Sequence, residues 1–233
     1  MQFQITYEGQ LFDFRTYSAA DAISRRMRKY GTFYERDLLE YSRAVLSELP
    51  PGGLVVDIGA NLGNHSVYWA AHVSRHVVAI EANPALTNIL TDNLRANAPH
   101  GSYTVIAGGA GQQSALGRVQ LAARAPDQFG LAGVSIDDQL RRGDAGVFEI
   151  HALGEWLNRI DRPDEPVRLL KIDVEGAEIA VICGAAAVLE RDRPEILAEA
   201  ATLAEREALD AALTPWGYRR IKRKLQQRMI CFP

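Results

Sequence analysis

The chain has 233 residues and a formal net charge of −3, with 47% hydrophobic and 24% charged residues. That balance suits one soluble α/β domain and excludes a strongly basic, nucleic-acid-coating protein. No stretch approaches the ~18 continuous apolar residues of a membrane helix. The opening "MQFQITYEGQLFDF" alternates polar and apolar residues instead of showing the basic start and apolar run of a signal peptide. Two cysteines, Cys183 and Cys231, give no disulfide framework and fit a reducing cytoplasm.

In chain order, residues 1–17 alternate around "EGQ" and predict a hairpin. Residues 18–49 predict a helix, with Phe33, Leu38, Tyr41, Val45 and Leu49 near 3.6-residue spacing, and "PPGG" stops it. "LVVDIG" is a buried strand and residues 65–73 a helix. "HVVAIEA" is the next strand, followed by a helix from Pro84 through "LTNILTDNLRAN"; proline suits a first helical turn, where its missing N–H costs nothing. "YTVIAG" is a third strand. Residues 108–165 are the least regular, with the short strand candidates "GRVQLAA" and "VFEI", and read as a substrate-side insertion. "VRLLKID" is a buried strand, "AEIAVICGAAAVLER" a helix, "PEILAEA" a strand and 202–213 a helix; "YRRIKRK" and "QRMICFP" close the chain as a pair of strands.

Alternating strands and helices imply a mainly parallel sheet covered on both faces. The last two strands are too close in sequence for a right-handed crossover, so they pair antiparallel. One domain over residues 50–233 is expected, with residues 1–49 as a hairpin and helix extension packed on it.

The turn after "LVVDIG" suggests a nucleotide site. A dinucleotide fingerprint, G-x-G-x-x-G, counted from Gly59 puts Asn61 and Asn64 where the second and third glycines belong. No Gly-Lys-Ser/Thr follows for a phosphate loop. The S-adenosylmethionine loop D/E-x-G-x-G-x-G fits better: "DIGANLG" supplies Asp57, Gly59 and Gly63, with Asn61 at the middle glycine, and Asn tolerates left-handed φ. Asp57 then lies near the ammonium of the ligand. Glu81, one strand later, is placed to accept from a ribose diol, as it would be for NAD also. "LLKIDVEGAE" brings Asp173, Glu175 and Glu178 to the carboxyl end of another strand. Glu178 also suits the first turn of the next helix.

"VVDIGANLGNHSVYWA", "VVAIEANP" and "LLKIDVEGAEIAVICGA" with "PEILAEA" resemble the FkbM-type S-adenosylmethionine-dependent methyltransferases, over about residues 31–218. The resemblance implies a class I methyltransferase (Rossmann-like) fold, a three-layer sandwich around a seven-stranded sheet of order 3-2-1-4-5-7-6. It implies methyl transfer to a hydroxyl of a sugar (glycan, glycolipid or nucleotide sugar) or a related secondary metabolite. On the cofactor side it places Asp57, Gly59, Ala60, Asn61, Gly63, Asn64 and Ser66 around the methionine, Glu81 at the ribose, and Ala82 and Asn83 near the adenine. Asp173 and Glu175 face the transfer site. Two departures stand out: Ala82 replaces the usual proline, and Gly154 stands at an aspartate position, with Glu155 next.

Methyl transfer to a hydroxyl needs alignment and a proton acceptor. Asp173, Glu175 and His65 are the candidates, with His151 a poorer fourth. Asp173, Glu175 and a third oxygen ligand would also suit Mg²⁺. The basic runs Arg25–Lys29 and Arg219–Arg228 read as solvated faces or as contacts to a phosphate-bearing acceptor. No interleaving of aromatic and basic residues indicates a nucleic-acid partner. The expected acceptor is a small molecule or saccharide, and a homodimer is one option for assembly. Alternatives are methylation of a polyketide hydroxyl and a non-catalytic S-adenosylmethionine-binding regulatory module.

Overall fold

The computed structural model describes residues 1–120, 133–137, 139–162, 164–221 and 229–232. Strands β1 (Gln2–Tyr7) and β2 (Gln10–Arg15) form the expected hairpin in register Gln2↔Arg15 to Tyr7↔Gln10. Its two turn residues, Glu8 and Gly9, both have positive φ (47° and 79°), the requirement of a two-residue turn that matches strand twist. Ile5, Tyr7, Phe12 and Phe14 point inward and are buried.

The helix expected over 18–49 is two helices, α1 (Ala22–Tyr30) and α2 (Arg36–Glu48). The Asp21 carboxylate caps α1 by accepting from the Ser24 N–H at 2.7 Å, and Gly31 ends it in the left-handed conformation. The apolar period continues across the break because Phe33, between the helices, is itself buried against Tyr7, Phe12 and Tyr68. Periodicity alone therefore hides the interruption.

The central sheet is built from β3 (Leu54–Ile58), β4 (His76–Glu81), β5 (Tyr103–Ala107), β10 (Val167–Ile172), β11 (Glu195–Glu199) and β12 (Met229–Phe232). Their order is β12-β11-β10-β3-β4-β5, with β12 antiparallel to β11 and every other pair parallel. This is the class I order as far as the described residues reach. Of the seventh strand expected on "YRRIKRK", residues 218–221 carry no strand and residues 222–224 lie outside the described residues.

Helices α3 (Asn64–His72) and α4 (Pro84–Asn97), together with α2 and the hairpin, cover one face of the sheet. Helices α5 (Leu153–Leu157), α6 (Glu178–Gly184), α7 (Ala186–Asp192) and α8 (Leu203–Leu213) cover the other. Alternation within β3 assigns the faces: Leu54, Val56 and Ile58 join the α5–α8 core, and Val55 joins the α2–α4 core. Asp57 follows Val55 onto that second face, beneath α3. The expected helix "AEIAVICGAAAVLER" also breaks in two, at Ala185.

Residues 109–151 hold a second sheet in the segment expected to be least regular. It consists of β6 (Gly109–Ala110), β7 (Ala115–Gln120), β8 (Gly133–Ile136) and β9 (Val147–His151), in the order β6-β9-β7-β8. The strand candidates "GRVQLAA" and "VFEI" overlap β7 and β9, with residues 121–123 of the first outside the described residues. The short β6 and β8 were hidden from periodicity by their length and glycines.

The hairpin is tied to α4 by asparagines. Asn93 Oδ1 accepts from Arg15 N–H (2.6 Å), and its Nδ2 donates to Arg15 O (3.0 Å) and Leu62 O (2.7 Å). Asn97 Oδ1 accepts from Asp13 N–H (2.7 Å), and its Nδ2 donates to Asp13 O (2.7 Å).

The last residue of α6 packs tightly on the second sheet. A Cβ on Gly184 would overlap the carbonyl of Gly111, so only glycine lets α6 approach the second sheet this closely. Gly184→Ala should therefore destabilise the protein by about 1–3 kcal/mol despite alanine's better helix propensity. Urea unfolding of the variant against wild type measures it; an unchanged or raised midpoint would show that the contact relaxes freely.

Candidate functional site

Strand β3 leads into a turn that only unusual backbone can make. Gly59 (φ 77°), Asn61 (φ 54°) and Gly63 (φ 92°) all lie in the left-handed region, and Asn61 does so as a non-glycine residue, as its sequence position requires. A Cβ on Gly59 would overlap the Asp173 carbonyl oxygen. The turn is hung on β4: Gly59 and Ala60 donate to Ile80 O at 3.0 and 3.1 Å. Glu81 completes the attachment, with Oε2 accepting from Asn61 N–H and Oε1 from Asn83 N–H, both at 2.7 Å. Asn83 in turn caps α4, its Oδ1 accepting from Ala85 N–H at 3.0 Å, with Pro84 in the first turn. Burial raises the Glu81 carboxyl above the ordinary range, and the Asn83 and Asn61 N–H donors counter it in part.

Beneath the turn sits a buried cation that sequence reading passed over. Lys171, on β10, is 1% exposed. Its Nζ donates to Gly59 O at 2.9 Å and lies 3.0 Å from Asp57 Oδ1 and 3.5 Å from Asp173 Oδ2. The Asp57 contact is an ion pair without hydrogen-bond alignment. The other Asp57 oxygen accepts from Ser66 Oγ at 2.6 Å. The register makes this inevitable, because Lys171 is directly opposite Asp57 on the adjacent parallel strand. A polar residue inside a run as apolar as "LLKID" was the available signal.

Asp57 and Ser66 are fully buried behind the turn and are not among the residues that line the cavity, Lys171 and α3 lying between. In this structure the Asp57 carboxylate meets Lys171 and Ser66. Gly63, packed against Leu90, also lies behind the wall.

In front of the turn, at the carboxyl ends of β3, β4, β10 and β11, is a cavity of about 1040 Å³. Its walls include Gly59, Ala60, Asn61, Asn64, His65, Glu81, Ala82 and Asn83, and also Asp173, Glu175 and Glu199. The last three carboxylates bring oxygens within 4.8 Å of one another. Glu199, at the end of β11, was quoted in sequence but given no role. Glu175 has φ 53° and is followed by Gly176 at 104°. Glu178 serves structure: its Oε1 accepts from Val174 and Gly176 N–H at 3.2 and 3.1 Å, pinning this turn.

The loop between α1 and α2 closes the cavity from above. Asn64 is locked to it reciprocally, Oδ1 accepting from Tyr34 N–H and Nδ2 donating to Tyr34 O, each at 2.9 Å. His65 stacks on Trp69 at 5.6 Å and brings Nε2 to 3.1 Å from Glu35 Oε2. Arg26 donates to the Tyr34 hydroxyl at 3.1 Å. Burial, then the neighbouring Glu35 carboxylate, pushes the Tyr34 hydroxyl up to about 12. The second sheet forms the far wall through Gly108–Gln113 and Ile150. His151 does not line this cavity. It is held at 2.8 Å by Glu149 on one ring nitrogen and by Glu155 on the other. A smaller cavity of about 450 Å³ beside it includes Arg142, Trp156 and Arg159. Of the basic runs, Arg26 alone among the described residues reaches the large cavity; residues 222–228 lie outside the description.

The ion triplet gives the site a pH signature. Burial pushes the Asp173 carboxyl up, but the Lys171 ammonium, a hydrogen bond with Glu199 and the nearby His65 together outweigh it, and the net direction is down. Burial pulls Lys171 down, and Asp57, then Asp173, reverse it to a net rise. For Asp173 the unfolded chain binds more protons, so its stabilisation is complete above about pH 4 and is lost as pH falls through the lower folded value. For Lys171 the stabilisation is complete below about pH 10 and is lost as pH rises through the raised folded value. Lys171→Met should cost about 3–5 kcal/mol, because it strands Asp57 without a cation. It should also narrow the stability difference between about pH 7 and pH 3. Denaturant titrations at both values check this; a loss below about 1 kcal/mol would show that Asp57 tolerates burial alone.

The model of the "Methyltransferase FkbM domain" family matches residues 57–220. Among solved structures, the chain resembles methyltransferase FkbM from Methylobacillus flagellatus, at 16% identity and TM-score 0.52 over 80% of this chain. It spans less than half (45%) of that protein. Precorrin-6y C5,15-methyltransferase from Geobacter metallireducens is similar at 15% identity and TM-score 0.50, covering 84% of this chain and 86% of that one. The METTL16 methyltransferase domain is similar at 10% identity and TM-score 0.50, covering 84% and 65%. No curated protein sequence matches the chain. With this family model covering more than half of its length, the chain belongs to the FkbM family of S-adenosylmethionine-dependent methyltransferases.

Proposed function

We propose that the enzyme transfers a methyl group to a hydroxyl oxygen of a sugar (glycan, glycolipid or nucleotide sugar) or a related secondary metabolite. The residues present fit S-adenosylmethionine: the turn at Gly59, Ala60 and Asn61 borders the cavity, and the buried Glu81 carboxylate stands at the end of β4. Gly59, Ala60, Asn61 and Asn64 would hold the amino acid part, Glu81 the ribose, and Ala82 and Asn83 the adenine, with Asp57 and Ser66 supporting them through Lys171. Bound there, the cofactor supplies an electrophilic methyl group on a sulfonium.

The observation that carries the acceptor reading is the acid-rich cavity. At about 1040 Å³ it exceeds what one small ligand needs, since ligand pockets run about 300–1,000 Å³. Asp173, Glu175, Glu199 and Glu35 line it beside Tyr17, Tyr34, Gln112 and Gln113. Carboxylates and amides accept hydrogen bonds from a polyhydroxylated molecule. The same carboxylates repel the repeated charges of a phosphodiester backbone, which disfavours a nucleic-acid acceptor, and among sugars they favour an uncharged glycan over a nucleotide sugar. A polyketide hydroxyl is the second choice, since it offers fewer donors to this wall. The three clustered carboxylates are also the oxygen donors that Mg²⁺ would take. The reading treats residues 1–49 as an extension of a domain at 50–233, and the enzyme as cytoplasmic.

The test is a screen with methyl-labelled S-adenosylmethionine against nucleotide sugars, oligosaccharides, glycolipids, macrolactones and tRNA, with and without EDTA. The expected product is a methyl ether of a sugar. Asp173→Asn and Glu199→Gln, which each remove a charged hydrogen-bond acceptor from the cavity wall, should each lower kcat/KM for the acceptor by about 10–10²-fold while Glu199→Gln still binds S-adenosylhomocysteine. Labelled tRNA, or full turnover in both variants, would overturn the reading. Cofactor binding without transfer to any acceptor would favour the regulatory module.

A further inference from the structure

The methyl-transfer reading leaves open how the proton of the acceptor hydroxyl is handled, and the inference here rests on that reading. Asp173 is committed to Lys171, which holds it ionised and weakens it as a proton acceptor. His65 is placed differently. It lines the cavity from the second position of α3, its ring stacked on Trp69. Its Nε2 lies 3.1 Å from Oε2 of Glu35, and both side chains are under 10% exposed (8% and 9%). Glu35 arrives from outside the family-matched residues, on the loop between α1 and α2.

Three features show that Glu35 is held there rather than resting there. Its backbone is left-handed (φ 57°, ψ 38°), a conformation disfavoured for glutamate. It stands at the N-cap of α2, where its side chain makes no capping hydrogen bond. The preceding residue, Tyr34, is clamped to Asn64, the residue before His65. The fold thus accepts backbone strain and gives up a helix cap to set one carboxylate against one imidazole.

We propose that Glu35 is a positioning residue for His65, and that His65 takes the acceptor hydroxyl proton. Glu35 orients the ring and selects the tautomer with the proton on Nε2, so Nδ1 accepts. The hydroxyl loses its proton to Nδ1 as its oxygen gains the methyl group, so the positive charge that leaves the sulfonium ends on the imidazolium beside Glu35. The charged and titratable groups around the ring are Glu35 and Tyr34 from the α1–α2 loop and, from the end of β10, Asp173 with Lys171 behind it. The 3.1 Å approach is out of hydrogen-bond alignment, and pairs of this kind tighten when a site fills.

The test uses the full chain and two kinds of readout. In ¹⁵N-histidine-labelled enzyme saturated with S-adenosylhomocysteine, a downfield Nε2–H signal should be present. It should be absent in His65→Asn, which assigns it, and lost or moved upfield in Glu35→Gln. With the best acceptor from the hydroxyl screen, Glu35→Gln should lower kcat by about 10²-fold, with KM and S-adenosylhomocysteine affinity within about twofold. Glu35→Asn, which suits left-handed backbone, should keep or raise Tm and still lose turnover, separating function from folding. An unchanged signal in Glu35→Gln, full turnover in either variant, or loss of affinity in step with kcat would overturn the proposal. If no hydroxyl acceptor is found, the functional reading fails, and the resonance alone decides the pairing.

Discussion

Lys171 is the contact on which the rest of the site depends. One ammonium group meets Asp57 from β3, Asp173 from β10 and the carbonyl of Gly59, so two strands and the turn between them share a single buried charge. Burying a cation is expensive, and the structure offsets it with two carboxylates and a carbonyl. The result is geometric. The turn cannot lift from β10 without separating ions in a low-dielectric interior, and Asp173 cannot turn outward without weakening its hold on Lys171. A site made of flexible pieces of loop is given the rigidity of the sheet.

The cavity wall carries a second, opposing kind of energy. Five non-glycine residues among those described have positive φ, and three of them, Glu35, Asn61 and Glu175, line the cavity. Left-handed backbone costs on the order of 1 kcal/mol or more per residue for such side chains. Strain concentrated at one place, each time at a polar residue of the cavity wall, marks a surface shaped for chemistry rather than for stability.

Much of this was legible in the sequence, for identifiable reasons. Strands β3, β4 and β10 are buried on both faces and read as mainly apolar runs ending in a glycine or an acid, so their ends and the turn residues could be placed directly. Asn61 was read as a left-handed stand-in for glycine, and that is its conformation. What escaped reading was whatever depends on lateral position. Lys171 and Asp57 are 114 residues apart and meet only through strand register. No sequence shows which way a strand-end side chain such as Asp57 is covered. Glu35 had no motif around it, Glu199 lay in "PEILAEA" without an assigned role, and the helix breaks at Gly31 and Ala185 were hidden because the apolar period runs through both.

The asparagine contacts of α4 have a consequence for how chains meet. Arg15 and Asp13 of β2 have both their N–H and C=O groups taken by Asn93 and Asn97, so the outer edge of the hairpin is already paired, by side chains instead of a strand. An amide side chain offers the same donor and acceptor as a peptide group, and α4 presents them four residues apart along one of its faces. The helix thus serves as a counterfeit neighbouring strand. It closes an edge that would otherwise invite edge-to-edge aggregation or strand exchange between copies.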